Sequence, residues 1–285
     1  MKTKIRRLSI ILILLISCFL FQYGRPAHGI ETELSAEQII DKYIEATGGK
    51  KAREKIYNSI TEMKIKLYRN NTECNVTRYK QRPNRFYSIL KIDIMGMPVT
   101  AEEAGINGDI VWKIEALTDG TILKGEERAN FLIENAPDAL FLWRTYFKDV
   151  QYAGTKDING KKCYKIVMIP FQGDQRTYFF DKNTSLVVKT IIFPPKIDFN
   201  TDEVITSRSN ENSGEGPLTQ EDMLENYFSD YRKVDDILIP HNILQISGGH
   251  KIFNVEIIKF KTNIDMPKDR FALPEKIRRK LKQNS

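Results

Sequence analysis

Two hydrophobic periods alternate along this chain, and each change of period marks a change of element. The first pattern past residue 34 is helical. Ile39, Ile40, Tyr43 and Ile44 fall on one face, Ser35 and Gln38 form a capping box, and Gly48-Gly49 ends the run. A short segment, Lys50 to Ile56, leads into strands, and the period becomes two. Met63 to Leu67 alternates as a half-buried strand does, Asn70-Asn71 turns it, and Cys74 to Tyr79 returns. Phe86 to Ile94, Val99 to Ile106 and Ile110 to Ile114 continue the meander through Gly96 and Asn107-Gly108-Asp109. Glu126 to Phe147 reverts to helical spacing. Pro137 interrupts it, so the spacing predicts a second helix starting there, with Leu132, Ala136, Leu140, Trp143 and Phe147 on one stripe. Strands then resume as Val150 to Ile158 with Lys161 to Ile169 across Asn159-Gly160, and Thr177 to Phe180 with Leu186 to Phe193. Residues 200–219 are polar and read as a mobile loop. Tyr227 to Val234, Ile237 to Ile246 and Ile252 to Lys261 close the pattern. The expected class is α+β, mainly β: an antiparallel sheet of about 10–12 strands with helices segregated to one face or end.

The N-terminus follows neither period. Lys2, Lys4, Arg6 and Arg7 precede an uncharged run from Leu8 to Phe21, and Ala27-His28-Gly29 follows, which is the order of a secretory signal peptide. Its apolar core falls short of the roughly 20 residues of a membrane span, so cleavage after Gly29 is expected. The predicted organisation is a signal in residues 1–29, one domain over 30–275, and a basic tail over 276–285. An alternative stays open: Leu15-Ile16-Ser17-Cys18 resembles a lipobox, which would leave the protein lipid-anchored through Cys18.

Removing the signal changes the charge picture. The whole chain is +7, but residues 30–274 carry 34 basic and 36 acidic side chains. The excess positive charge lies at the two ends, so it does not argue for nucleic acid. The tail, with Lys276, Arg278, Arg279, Lys280 and Lys282, reads as a solvated face or as a contact with anionic lipid head groups. Cys74 and Cys163 form either one disulfide or two buried thiols.

Few residues offer catalytic chemistry. His241 and His250 have no carboxylate or cysteine at metal-ligand spacing, and there is no nucleophile elbow and no phosphate-binding glycine loop. No cofactor, no metal and no catalytic residue is expected. Aromatic residues instead concentrate in the strands and the middle helices.

The run Arg78-Tyr79-Lys80-Gln81-Arg82-Pro83-Asn84-Arg85-Phe86 resembles the Arg-Pro-Asn/Gly-x-Phe motif of the outer-membrane lipoprotein carrier family, LolA with its relative LolB. Asn107-Gly108-Asp109 to Trp112, Asp230 to Val234 with Ile239-Pro240-His241, and Phe271-Ala272-Leu273-Pro274 are similar to its later landmarks in the same order, over about residues 57–275. The resemblance implies a strongly curved, unclosed half-barrel with helices covering the concave face as a lid, and acyl chains held between. It implies that Arg82 bonds to the lid backbone and holds the empty form closed. Phe86, Trp112, Phe131, Leu132, Leu140, Phe141, Trp143, Tyr178 and Phe180 are the residues expected to line cavity and lid. The implied function is a periplasmic, monomeric, non-catalytic carrier of lipids or of lipoprotein acyl chains. A sensory or protein-binding module using the same sheet is the alternative, with an enzyme third. The chain departs from the carriers in its length, its insertion at 200–219 and the turn Thr47-Gly48-Gly49-Lys50.

Overall fold

The computed structural model describes residues 34–136, 139–192 and 223–283. The predicted signal, Cys18 and the predicted loop at 200–219 lie outside the described residues. The chain opens with α1 (Ala36–Ala46) and α2 (Gly49–Glu54). The capping box forms as the spacing predicts: the Gln38 N–H donates to Ser35 Oγ at 3.3 Å, and the Ser35 N–H donates to Gln38 Oε1 at 2.9 Å.

Five strands follow: β1 (Asn58–Leu67), β2 (Thr72–Gln81), β3 (Arg85–Ile94), β4 (Met97–Asn107) and β5 (Ile110–Glu115), with a two-residue β6 (Thr121–Ile122). The helices α3 (Gly125–Asn135) and α4 (Trp143–Tyr146) come next. The chain returns through β7 (Phe147–Ile158), β8 (Lys161–Pro170), β9 (Arg176–Asp181), β10 (Val187–Ile192), β11 (Leu224–Val234), β12 (Ile237–Ser247) and β13 (His250–Thr262), and ends in α5 (Glu275–Gln283). All thirteen strands join one antiparallel sheet in the order β6-β5-β4-β3-β2-β1-β13-β12-β11-β10-β9-β8-β7. The two edge strands, β6 and β7, do not pair with each other, so the sheet is open.

That sheet is strongly curved. β3 and β9 stand seven strand spacings apart, which on a flat sheet is roughly 33 Å. Yet α3 reaches both through neighbouring residues: Phe131 packs on Phe86 of β3 with ring centroids 5.8 Å apart, and Asn130 accepts from Arg176 of β9. Only a sheet rolled toward the helix permits this.

The structure differs from the sequence reading at three places. The middle of the chain does not hold two long helices. α3 stops at Asn135, Ala139 to Leu142 are turn, α4 is a single turn, and Phe147 already belongs to β7. The aromatic run satisfies helical spacing, but β7 needs Phe147 as its first inward residue. The basic tail is more than a solvated face up to Gln283: it forms α5, whose basic side chains are mostly exposed while Ile277 is 0% exposed. β6 is too short to carry a period and was not predicted; its partner is Trp112-Lys113 of β5. The cysteines are two free, buried thiols. Cys74 lies in β2 among apolar residues, and burial pushes the Cys163 thiol up to about 11.

Gly48, at φ +116°, lets the α1–α2 turn sit on the β11–β12 turn, where a Cβ would meet the Asp236 carbonyl. Leu238 N–H then donates to the Thr47 carbonyl at 3.2 Å. The C-terminal helix tests the packing most simply. Ile277→Ala should cost about 2–5 kcal/mol in urea denaturation; a variant as stable as the parent would show that α5 does not dock.

Candidate functional site

Cross-strand register assigns the strand residues to faces, because directly opposed residues point the same way. Met63, Val76 and Leu90 are opposed in turn, as are Ile65, Cys74 and Ile92, and β13 adds Ile257 and Val255 opposite Met63 and Ile65. With Leu67, Ile243, Phe253 and Phe260 they form a continuous apolar floor. The alternating positions Lys64, Lys66, Glu73, Asn75, Lys91 and Glu256 are exposed on the other side. Following the same registers toward each edge places Phe86, Ile106 and Val111 on the floor side, and likewise Arg176, Tyr178 and Phe180.

Helices cover this floor side only in part. Phe131 and Leu132 of α3 pack on Phe86, Ile106, Val111 and Leu123. Tyr43 of α1 meets Phe180 edge-on at 5.7 Å. The central floor is different: among the described residues its packed cluster consists of strand side chains alone.

A polar knot fixes the other side of α3. Arg176 is 3% exposed, and its guanidinium donates to Glu134 at 3.2 Å and to Asn130 at 3.4 Å. Asn130 donates in turn to Asp174 at 2.8 Å and accepts from the Asp174 N–H at 2.9 Å. Burial raises the Asp174 carboxyl above its ordinary range. A buried guanidinium must be paired to be tolerated, so Arg176 ties α3 to the sheet wherever α3 lies in this position. Lys80 of β2 adds a longer contact, its ammonium 3.5 Å from the Ala136 carbonyl at the end of α3.

At the end of the sheet beneath α2 lies a pocket of about 180 Å³. Arg53, Lys80 and Arg82 line it together with Asn58, Ser59, Thr61 and Gln81, and Ile237, Ile239 and Phe260 supply an apolar wall. Arg53 also donates to Thr47 Oγ1 at 2.7 Å. Arg78, opposed to Thr61 on the same face, keeps some solvent contact along its length while its Nε is enclosed without a hydrogen-bond partner.

The structure divides the residues singled out from sequence. Phe86, Phe131 and Leu132 meet in one cluster, and Tyr178 stacks on Phe180 at 6.2 Å on the same face. Phe141 lies under the Arg53 guanidinium at 5.9 Å, Leu140 is half-buried in the turn, and Trp143 is buried in α4 with Arg144 over its ring at 4.2 Å. Trp112 is not on the lid side. It opposes Gly105 on the far face, where it meets Tyr87 at 6.2 Å, and Gly105 is required because a Cβ there would collide with the indole. Arg82 lines the small pocket, and its N–H donates to the Tyr57 carbonyl at 3.0 Å. The sequence reading missed Arg176, although its alternation with Tyr178 and Phe180 places it inward. It also missed Arg53, Arg78 and Lys80, whose convergence depends on register.

No family model matches the sequence, and no curated protein matches it. Solved structures do. A DUF1329 family protein from Desulfovibrio piger superposes with a TM-score of 0.54 at 13% identity, over 83% of this chain and 97% of its own. A LolA superfamily protein from Nitrosomonas europaea gives 0.51 at 8% identity, over 84% and 98%. An outer membrane lipoprotein-sorting protein domain from Vibrio parahaemolyticus gives 0.53 at 13% identity, over 83% and 97%. The fold is LolA-like. In this LolA-like frame the knot around Arg176 is the firmest described tie between α3 and the sheet. Arg176→Met should therefore speed amide exchange across Gly125–Asn135 about tenfold, or about 1.4 kcal/mol of local opening. Unchanged exchange there would show that the knot does not hold α3.

Proposed function

We propose that this protein is an exported, non-catalytic carrier that takes an acyl chain onto the floor beneath α3 and releases it again. The observation that carries this reading is the central floor. It is a broad apolar surface on the same face as the lid, continuous with the lid contacts at Phe86, yet packed by strand residues alone among the described residues. The hollow expected under the helices is filled at α3 itself, where Phe131 and Leu132 occupy the space. A chain that extends from the central floor under α3 has to displace them.

The magnitudes favour a lid of this kind. Burying methylenes gains about 0.8 kcal/mol each, so a twelve-carbon chain gains on the order of 9 kcal/mol before ordering costs. A site collecting all of that would release slowly. Re-forming the α3 contacts when the chain leaves offsets part of it.

The far end of the floor offers the route. The β3–β4 hairpin tip follows Ile92 of the floor and exposes Ile94, Met95, Met97 and Val99, with Met95 97% and Met97 64% exposed. Basic Arg69, Lys91 and Lys251 are exposed in the neighbouring strands and turns. An apolar tip flanked by cations suits shallow insertion into an anionic bilayer. Export, a periplasmic location and cargo of the lipoprotein type belong to the same proposal, supported by the signal-like N-terminus and the LolA-like fold.

Incubated with vesicles of phosphatidylglycerol and phosphatidylethanolamine, the protein should carry acyl species detectable by native mass spectrometry. Changing both Met95 and Met97 to Asp should slow that uptake at least fivefold without lowering thermal stability. Absence of any bound acyl species in the parent would overturn the carrier reading.

A further inference from the structure

Two turns of this chain hold residues that their backbone does not favour. Among the described non-glycine residues with positive φ, all are Asn, Asp or Ser except Met95, at φ +56°, and Leu117, at φ +66°. Short polar side chains tolerate the left-handed region because they hydrogen-bond locally there, and long apolar ones have no such compensation. The chain supplies its own comparison. Asn159-Gly160 turns β7 into β8 with φ of +51° and +80°, and Met95-Gly96 turns β3 into β4 with φ of +56° and +82°. The φ angles nearly match, and Met stands where Asn is the favoured residue. Packing does not explain either exception, since Met95 is 97% exposed and Leu117 is fully exposed. Backbone strain that no contact within the fold offsets points to a contact outside it.

Both residues lie on one rim of the sheet. Successive turns of an antiparallel meander fall at alternate ends, so the β3–β4 and β5–β6 turns share an end, opposite the β4–β5 turn. The Ala116 N–H donates to the Ala101 carbonyl at 2.8 Å, which sets Leu117 beside the first half of β4. Strand registers bring the β1–β2, β12–β13 and β8–β9 turns to the same rim, where Tyr68, Ile252 and Phe171 are exposed as well. Cations stand next to Leu117. The Lys276 ammonium donates to the Thr118 carbonyl at 2.7 Å and Ile277 lies against Gly120, so α5 starts on the β5–β6 turn. Lys276, Arg278, Arg279 and Lys282 are exposed on that helix. The acids nearby are Glu275, paired with Arg279, Glu115, paired with Lys113, and Asp119. The balance around the exposed leucine is positive.

We propose that Leu117 and α5 form a second contact with an anionic bilayer, in which Leu117 inserts as Met95 does while Lys276, Arg278 and Lys282 meet the lipid head groups. This rests on the bilayer contact in the carrier reading and adds a footing to it. The apolar side chain supplies insertion, and the cations supply an attraction to anionic lipid that salt weakens. Two insertion points set an orientation that one does not. The rim carrying both turns faces the membrane, and the strands of the floor run away from it.

Flotation with vesicles of equal parts phosphatidylglycerol and phosphatidylcholine tests this, with pure phosphatidylcholine vesicles as the comparison. The parent should bind the anionic vesicles about tenfold more tightly. Leu117→Asn should weaken that binding about fivefold while thermal stability holds or rises, because Asn suits the left-handed turn. Arg278→Gln combined with Lys282→Gln should remove most of the preference for anionic lipid and flatten its salt dependence. Lys156→Gln, an exposed change near the opposite rim, should alter neither. Parent-like flotation of the Leu117→Asn protein would overturn the second footing, and equal binding of both vesicle types by the parent would overturn the part given to α5. Native mass spectrometry with dodecyl phosphate supplied in solution keeps the carrier reading separate. A parent that loads it but floats with neither vesicle overturns the bilayer contact and leaves the carrier reading standing. A parent that floats as expected but loads nothing supports the footing and overturns the carrier reading.

Discussion

One helix touching two distant parts of a sheet sets the form of this molecule. α3 places Phe131 on β3 and Asn130 against β9, across seven strand spacings. Thirteen strands could twist into an open, flatter sheet exposing both faces. The contacts of α3 stop that, because the apolar side of the helix and its polar side are satisfied by opposite halves of the same surface. The connection runs from edge strand β6 through α3 and α4 to edge strand β7, so the segment that bridges the opening in space is also the one that bridges it in sequence.

The functional reading follows from how differently the two ends of that bridge are held. On β3 to β5 the buried contacts are apolar and non-directional, and the polar tie there is a rim contact, Arg128 of α3 donating to the Asp109 carbonyl of the β4–β5 turn at 3.1 Å. On β9 a buried guanidinium, an amide and two carboxylates form a network that is hard to replace piecemeal. On the proposed carrier reading, a lid fastened in this way would lift at the β3–β5 side first and pivot about the knot on β9. Beside it the central floor runs along β1, β2, β3 and β13 to the exposed apolar β3–β4 hairpin.

Much of this was legible in the sequence, for identifiable reasons. Strands with one wet face print their period, and Lys64, Lys66, Glu73 and Asn75 alternate with the floor residues closely enough to fix both element and face. Turns were equally plain where Asn159-Gly160 or Gly96 had to adopt positive φ. The middle of the chain misled because Leu140, Trp143 and Phe147 satisfy a helical spacing that the tertiary structure uses for a turn, one helical turn and the first strand position. Trp112 misled because burial alone does not reveal a face. Its side follows only from its pairing with Gly105, which no local pattern announces. The basic side chains of the tail are solvated as read, but the helix and its docking were hidden because the one buried contact, Ile277, sits among five basic residues. The cationic pocket combines side chains from α2, β2 and the β2–β3 turn, and only the folded registers bring these together.

The central claim is that α3 is a lid displaced from the sheet when the floor is occupied. Spin labels at Glu127→Cys on α3 and Lys64→Cys on the outer side of β1, both exposed positions, report that separation directly by pulsed electron resonance. With dodecyl phosphate bound, the account predicts a second, longer distance population that grows with saturation. A single distribution, unchanged while the ligand is demonstrably bound, would contradict it.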